Sequence, residues 1–200
     1  MKDNPIGQTL LNDRGRIQAI ERFLPDHVSE ALFPRVLEEM QWHQGELRLF
    51  GRRISTPRLL AFQGEMGVVY RYSGIRHEAS SWTPSVSRIK VLVETQLGLK
   101  FNAVLGNLYR NGHDSLGWHC DDEKELGPDP SIAIVSLGAT RHLEFRTAVR
   151  QPPLRVEMKN GSLILLEGPI QAHWKHRVPK ANLLDAPRTS LSFRTLGTGP

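Results

Sequence analysis

His119, Cys120 and Asp121 stand in a row in this 200-residue sequence. On an extended segment side chains alternate between faces, so the imidazole and the carboxylate of a His-x-Asp pair point the same way. A further histidine brought to that face would complete a set of two histidines and one carboxylate. Such a set leaves coordination positions open and suits Fe(II) that must bind oxygen and a co-substrate. Two downstream residues compete for the third place, His173 and His176, and on an extended stretch they face opposite sides. Spacing alone leaves that choice open. His113 and His142 lie in or beside turn-like sequence and read as surface histidines.

Arg188 and Arg194, six apart, share a strand face with Ser190 and Ser192, while Thr189, Leu191 and Phe193 occupy the other. A polar face backed by a largely apolar one describes a strand that lines an interior. Two arginines pointing inward need anionic partners, because a buried unpaired charge is costly. A dicarboxylate gripped through bidentate bonds is one such partner. The competing arrangement pairs one arginine with Asp121 or Glu123 and turns the other to solvent. Asn107 and Tyr109 share a face of the strand leading towards the His-x-Asp segment. They could donate to a carboxylate or form a satisfied buried polar pair.

The elements that must position these residues change character along the chain. Residues 1–22 are polar and read as a loose arm or short strand. Pro25-Asp26 opens a helix with Asp26 as its cap and Val28, Leu32, Val36 and Met40 on one stripe; Pro34 should kink or shorten it. A second helix follows Pro84, with Ser85 as cap, Val86, Ile89, Val93 and Leu97 as its apolar face and Gly98 as its stop. Between them, residues 46–53 and 67–72 read as strands or hairpin arms, with Gly45, Gly64 and Gly74 as nearby turn signals. From residue 101 the pattern is short strands: 101–109, 116–120, 132–137, 143–146, 154–159, 162–166, 174–178 and 189–196. So many short strands broken by Gly, Pro, Asn and Asp argue for a sandwich, barrel or jelly roll, not a parallel sheet.

Bulk properties bound the rest. The chain is 39% hydrophobic and 24% charged, enough for one domain with a sizeable core. Its longest apolar runs, residues 132–137 and 163–166, are strand-sized and far short of a membrane span. No signal-like N-terminus is apparent, and the single cysteine, Cys120, excludes an intrachain disulfide and fits a reducing compartment. Of the net charge of +5, the stretch from Arg141 to the end supplies ten basic against four acidic residues. That excess fits a polyanionic partner, as it also fits ordinary solubilising charge.

Taken in order, several motifs resemble the AlkB family of Fe(II)- and 2-oxoglutarate-dependent dioxygenases, nearest its homologue-two and -three type. They are Asn107-Leu108-Tyr109, Gly117-Trp118-His119-Cys120-Asp121-Asp122-Glu123, Ser136-Leu137-Gly138-Ala139-Thr140-Arg141, His176-Arg177-Val178-Pro179-Lys180, and Pro187-Arg188-Thr189-Ser190-Leu191-Ser192-Phe193-Arg194. The resemblance implies a double-stranded β-helix with His119, Asp121 and His176 as iron ligands. It implies that Arg188 takes the distal carboxylate of 2-oxoglutarate, helped by Asn107 and Tyr109, with Arg194 near the metal-proximal carboxylate. Ser190 stands where the family usually has Asn, which shortens a cofactor-pocket side chain, and Ser192 replaces a common Thr.

The same resemblance gives a substrate. Tyr70-Arg71-Tyr72-Ser73-Gly74 is similar to the family's base-pocket lid, with Tyr70 and Tyr72 on one face as a platform for a planar base. It implies that His119 forms the opposite wall and that Glu123 reads the exocyclic amine of a cationic methylated base. Leu47-Arg48-Leu49-Phe50-Gly51-Arg52-Arg53 resembles an intercalating finger, in which Leu49 and Phe50 enter the base stack while arginines hold phosphates. Packing of Leu49 and Phe50 onto the core is the rival reading.

The fold expected is therefore α+β, mainly β: a jelly-roll core backed by helices, with an N-terminal nucleotide-recognition lid. Residues 1–22 would be an arm and 23–200 one dioxygenase domain, with helices and lid in 23–100 and the catalytic core in 101–200. The activity expected is oxidative demethylation of 1-methyladenine or 3-methylcytosine in DNA, with Fe(II), 2-oxoglutarate and O2 consumed to release formaldehyde, succinate and CO2. The same chemistry on RNA or another substrate, or an inactive nucleic-acid-binding relative, are the alternatives. The setting expected is a monomer, off the membrane, in the cytoplasm and on the nucleoid, or in the nucleus of a eukaryote.

Overall fold

In the computed structural model of the chain, residues 7–49, 52–72, 75–148 and 152–197 are described. The N-terminal residues form a hairpin of β1 (Gln8–Asn12) and β2 (Arg16–Ile20), followed by α1 (Asp26–Glu39). A second hairpin joins β3 (His43–Leu49) to the long β4 (Arg52–Gly64), and a third joins β5 (Val69–Tyr72) to β6 (Ile75–Glu78). After α2 (Pro84–Leu97) come β7 (Ala103–Tyr109), β8 (Leu116–His119), β9 (Ile132–Gly138), β10 (Arg141–Arg146) and β11 (Leu154–Met158). The chain closes with β12 (Leu163–Glu167), the single turn α3 (Ile170–His173), β13 (Lys175–Val178) and β14 (Arg188–Arg194).

Two antiparallel sheets face each other. The larger runs β1-β2-β12-β9-β14-β7-β4-β3 and the smaller β11-β10-β13-β8, with β5-β6 as a separate ribbon. Period-two alternation sorts the side chains of the larger sheet into two cores. Ile132, Ile134, Ile164 and Leu166 point inward and meet Leu143, Phe145, Val156, Met158 and Val178 of the smaller sheet. Ala133, Val135, Leu137, Leu163, Leu165, Leu191 and Phe193 point outward and are covered by Leu32 and Val36 of α1 and Val86, Ile89 and Val93 of α2. The result is the helix-backed double-stranded β-helix. All eight strands read from residue 101 onward are present, most trimmed or extended by a residue or two.

Local differences from the sequence reading have physical causes. Residues 8–20 build two strands, and β2 joins the larger sheet by pairing with β12. Pro25, not Asp26, holds the cap position of α1, and Asp26 sits in the first turn, where its charge complements the helix dipole. Pro34 removes one backbone donor, but the packed stripe carries α1 on to Glu39. Thr83 is the cap residue of α2; Ser85 lies inside it and bonds Glu39 from its backbone N–H (2.9 Å) and its Oγ (2.8 Å), tying the two helices together. Gly98 ends α2 as expected, at φ 68°. Gly45 is not a turn: it lies in β3 at a register shift, where a Cβ would come within 2.5 Å of Leu60. No helix among the described residues is long and apolar enough to cross a membrane.

Candidate active site

β8 and β13 are neighbours in the smaller sheet, and their register places the Cα of His119 directly opposite that of His176. Both rings project inward, with centroids 4.1 Å apart. Asp121 follows just past the end of β8 and completes the group, its Oδ1 3.7 Å from His119 Nε2 and its Oδ2 3.9 Å from His176 Nε2. One ligand atom from each residue lies within 4.8 Å of the others, a separation a single ion can bridge. Two of the three are held from behind by hydrogen bonds. His119 Nδ1 lies 2.9 Å from the Gly117 carbonyl, which leaves Nε2 for a ligand, and the Asp121 N–H donates to Gln171 Oε1 at 3.0 Å.

The protonation states suit a metal. Burial, then the neighbouring His119, pushes His176 down to about 3 against the pull of Asp121, so its ring is neutral at neutral pH. Burial alone would raise the Asp121 carboxyl. The neighbouring Arg194, foremost, and the more distant Arg58 outweigh it, with the two histidine rings adding to the effect only when protonated, and the carboxyl stays below its ordinary value. A neutral imidazole and a carboxylate are the forms a divalent cation needs. His173, the rival ligand, ends α3 and is not on a strand at all.

β14 lies between β7 and β9 and lines the same narrow cavity with Arg188, Ser190, Ser192 and Arg194, joined by Asn107 and Tyr109 of β7. Both arginines are 1% exposed, so neither turns to solvent. Arg194 lies 3.6 Å from Asp121 Oδ2 and donates to the Tyr70 hydroxyl at 2.6 Å. Arg188 donates from Nε to Ser136 Oγ at 2.9 Å, with its guanidinium 5.2 Å from the Tyr109 ring centroid. Its Nη1 is buried with no hydrogen-bond partner among the described residues. Burial lowers its pKa to about 10, still fully charged at neutral pH. A buried cation with an open donor at the end of a cavity fits an incoming carboxylate. Ser190 faces Ser136 on one neighbouring strand and Asn107 on the other, so its short side chain leaves a row of small polar groups beside Arg188.

Above the triad sits the β5–β6 ribbon. Tyr70 is fully buried, stacked near Phe62 (5.7 Å between centroids), and also hydrogen-bonds Glu123. Burial, then the charge of Asp121, raises the Glu123 carboxyl, and its Oε2 is buried without a hydrogen-bond partner among the described residues. Phe50, Gly51 and Ser73 lie outside the described residues, as do the side chains of Leu49, Arg52, Arg53 and Tyr72. A wider cleft of about 930 Å³ opens beside the ribbon, lined by Val69, Arg71, Lys124 and Leu126, and holds none of the triad.

Two cavity-facing or cavity-backing cations had no role in the sequence reading, although Arg141 ends one of its motifs. Arg58 of β4, 2% exposed, donates to Asn107 Oδ1 at 2.6 Å, so Asn107 is already engaged by a cation. Arg141 of β10, 1% exposed, stands behind Tyr109. Gln171 of α3 was equally silent. The only signal for Arg58 would have been its strand, which lacks clear alternation.

A family model described as the 2OG-Fe(II) oxygenase superfamily matches residues 16–194. The chain is 41% identical over 157 residues to the Homo sapiens protein named "Alpha-ketoglutarate-dependent dioxygenase alkB homolog 3", covering 72% of this chain and 53% of that one. It is 36% identical over 185 residues to the Bos taurus protein of the same name, covering 86% and 63%. Against the Homo sapiens "DNA oxidative demethylase ALKBH2" it is 35% identical over 179 residues, covering 84% and 69%. The chain thus spans about half to two thirds of the length of these relatives. A solved structure described as "The structure of OsALKBH1" superposes with a TM-score of 0.66 over 94% of this chain and 100% of that one, at 14% identity, and so speaks for the fold. The order of motifs read from the sequence, the jelly roll that gathers them, and these matches agree: the chain belongs to the 2OG-Fe(II) oxygenase superfamily and, within it, to the AlkB family.

Proposed function

We propose that the protein is an Fe(II)- and 2-oxoglutarate-dependent demethylase of N-alkylated bases such as 1-methyladenine and 3-methylcytosine in DNA. The single observation that carries this reading is the linkage of lid to triad. Arg194 contacts both Asp121 and Tyr70, and Tyr70 in turn bonds Glu123. An aromatic ring and a buried carboxylate therefore lie next to the would-be metal ligands, where a flipped base would present its methyl group.

In this reading His119, Asp121 and His176 hold Fe(II), and Arg188 takes the distal carboxylate of 2-oxoglutarate with Tyr109 beside it. Iron, 2-oxoglutarate and O2 together supply the oxidation that turns an N-methyl group into formaldehyde, with succinate and CO2 as co-products. The chain's own residues do the rest. Arg194 holds the Asp121 carboxylate in place and keeps it ionised. Ser190, Ser192 and Asn107 provide polar walls that do not compete for the cation. Tyr70, with Tyr72 and Ser73, forms the wall against which the base rests. Glu123 accepts from its exocyclic amine, and a cationic methylated base relieves the burial cost of that carboxylate. Leu49, Phe50, Gly51, Arg52 and Arg53 would engage the nucleic-acid strand, on a protein acting as a monomer in the cytoplasm or nucleus.

The test is mass spectrometry of DNA oligonucleotides carrying 1-methyladenine or 3-methylcytosine, incubated with the protein, Fe(II) and 2-oxoglutarate. A loss of 14 mass units per lesion, matched by succinate, is expected. Succinate formation that does not respond to the methylated base would overturn the nucleic-acid reading. RNA oligonucleotides in parallel decide between the two polymers.

A further inference from the structure

Tyr109 is flanked by two buried cations. The guanidinium of Arg188 lies 5.2 Å from its ring centroid and that of Arg141 lies 5.3 Å away. Arg188 lines the cavity that holds the triad, as does Tyr109; Arg141 does not, and stands behind them. Its side chain is fixed by three backbone carbonyls, with Nη1 bonding Asn111 O at 3.1 Å and Nη2 bonding Asp114 O at 2.9 Å and Pro179 O at 2.6 Å. It thereby clamps the turn after β7 to the loop between β13 and β14.

Those three acceptors are neutral. The nearby carboxylate, Asp114, takes three bonds from Arg110 at 2.8 to 2.9 Å and none from the Arg141 side chain, so its charge offsets that of Arg141 only through space. Burial, and then the charge of Arg141, lowers the pKa of Arg188; burial also lowers that of Arg141, and both remain cationic. One end of the cavity thus carries two fixed positive charges in a dry setting, with an open donor at Arg188 Nη1. Charge of that kind favours a ligand group of opposite sign, and more strongly than in water.

We infer that Arg141 is a positioning residue that makes the far end of this cavity selective for a dicarboxylate over a monocarboxylate, acting through Tyr109 and the field on Arg188. The inference rests on the proposed use of 2-oxoglutarate. Arg141 contributes charge that needs no contact with the ligand, and its clamp keeps Tyr109 and the neighbouring loops in place around Arg188.

The experiment measures binding, without turnover, to the full chain loaded with Co(II), by isothermal titration under anaerobic conditions. The two probes are 2-oxoglutarate and 2-oxovalerate, which keeps the keto-acid head and chain length but lacks the distal carboxylate. In Arg141→Met the dissociation constant for 2-oxoglutarate should rise about tenfold while that for 2-oxovalerate stays the same, an order-of-magnitude expectation for removing one nearby buried charge. Arg141→Gln, which keeps side-chain N–H donors for the backbone carbonyls but no charge, should show the same loss of discrimination and serves where the Met variant does not fold. Arg141→Lys should recover most of it. Equal weakening of both probes would reduce Arg141 to a structural clamp, and unchanged discrimination in the neutral variants would remove it from ligand selection. Failure of the unaltered protein to bind 2-oxoglutarate would instead overturn the functional reading.

Discussion

Arg194 of β14 donates to the hydroxyl of Tyr70 on β5 at 2.6 Å while standing 3.6 Å from Asp121. One guanidinium therefore couples the ribbon above the cavity to the carboxylate inside it. The ribbon is a two-stranded sheet separate from the two larger ones, and Tyr70 with the adjoining Val68 packs against Phe62, Leu105 and Leu126. Tyr70→Phe keeps the ring against Phe62 and removes only the hydroxyl. Loss of a hydrogen bond to a charged donor is worth on the order of 1.5–3 kcal/mol. Part of it is offset by Asp121, so amide exchange in residues 69–72 should quicken about tenfold. Exchange that is unchanged would mean the ribbon is held by its apolar contacts alone.

The metal assignment makes a sharper demand. His176→Ala removes a buried ligand whose ring is already neutral, so metal binding there needs no proton release and should be lost rather than shifted in pH. Titration with Co(II), followed by its visible absorption, should show affinity falling at least about a hundredfold. Asp121→Ala should do the same and also leave Arg194 without its carboxylate, costing about 3–5 kcal/mol of stability. His173→Ala, a change at the end of α3, should leave Co(II) affinity unaltered. Retained affinity in His176→Ala would displace this histidine from the site.

These residues differ in how readable they were. His119, Asp121, Arg188 and Arg194 lie on or beside short strands where alternation fixes the face, so spacing paired His119 with Asp121 and Arg188 with Arg194, and the ordered motifs joined the two pairs. His176 could not be chosen over His173 by spacing, because the stretch assumed to be extended is helical up to His173; the ordered motifs decided it. Arg141 stood in a motif without a role, and Arg58 stayed hidden for a different reason. A buried cation is visible only once the inward face of its strand is known, and β4 pairs on both sides with little regular alternation of its own. The strands from residue 101 onward were legible because turn residues punctuate them. The strands β1, β2 and β6 were less so, since their largely polar composition also suits a loop: residues 1–22 read as an arm or one short strand, and pairing with neighbours makes two strands of residues 8–20.

Asp114 sets part of the acid limit of the fold. Burial alone would raise its carboxyl, but the bonds from Arg110 and the charge of Arg141 hold it below the ordinary value. A group depressed in the folded state stabilises it above its unfolded pKa of about 3.9, and that contribution is lost as pH falls through the lower folded value. Asp114→Asn should therefore lower the melting temperature at pH 7, by an amount corresponding to about 1–3 kcal/mol. The difference from the unaltered protein should shrink as pH falls below about 4. A difference that stays constant down to pH 2 would show that the Arg110–Asp114 charge pair contributes nothing.

The tip of the β3–β4 hairpin bears on strandedness. The last register pairs before the tip are Arg48 opposite Arg53 and Leu49 opposite Arg52, and in the sequence Phe50 and Gly51 follow Leu49. An apolar residue at such a tip, with cations on the flanking positions, is the composition of a wedge that fills the gap left by a flipped base while charges hold phosphates. A base in a duplex has to be flipped before it can reach a buried site, whereas a base in a single strand does not have to be unpaired. Leu49→Ala/Phe50→Ala should therefore lower kcat/KM on a duplex carrying 3-methylcytosine about tenfold or more, and lower it far less on the matching single strand, since only the duplex needs the unstacking energy returned. Equal loss on both would make the tip a general contact for the strand. No loss on the duplex would show that Leu49 and Phe50 pack on the protein instead, and would leave flipping to the lid.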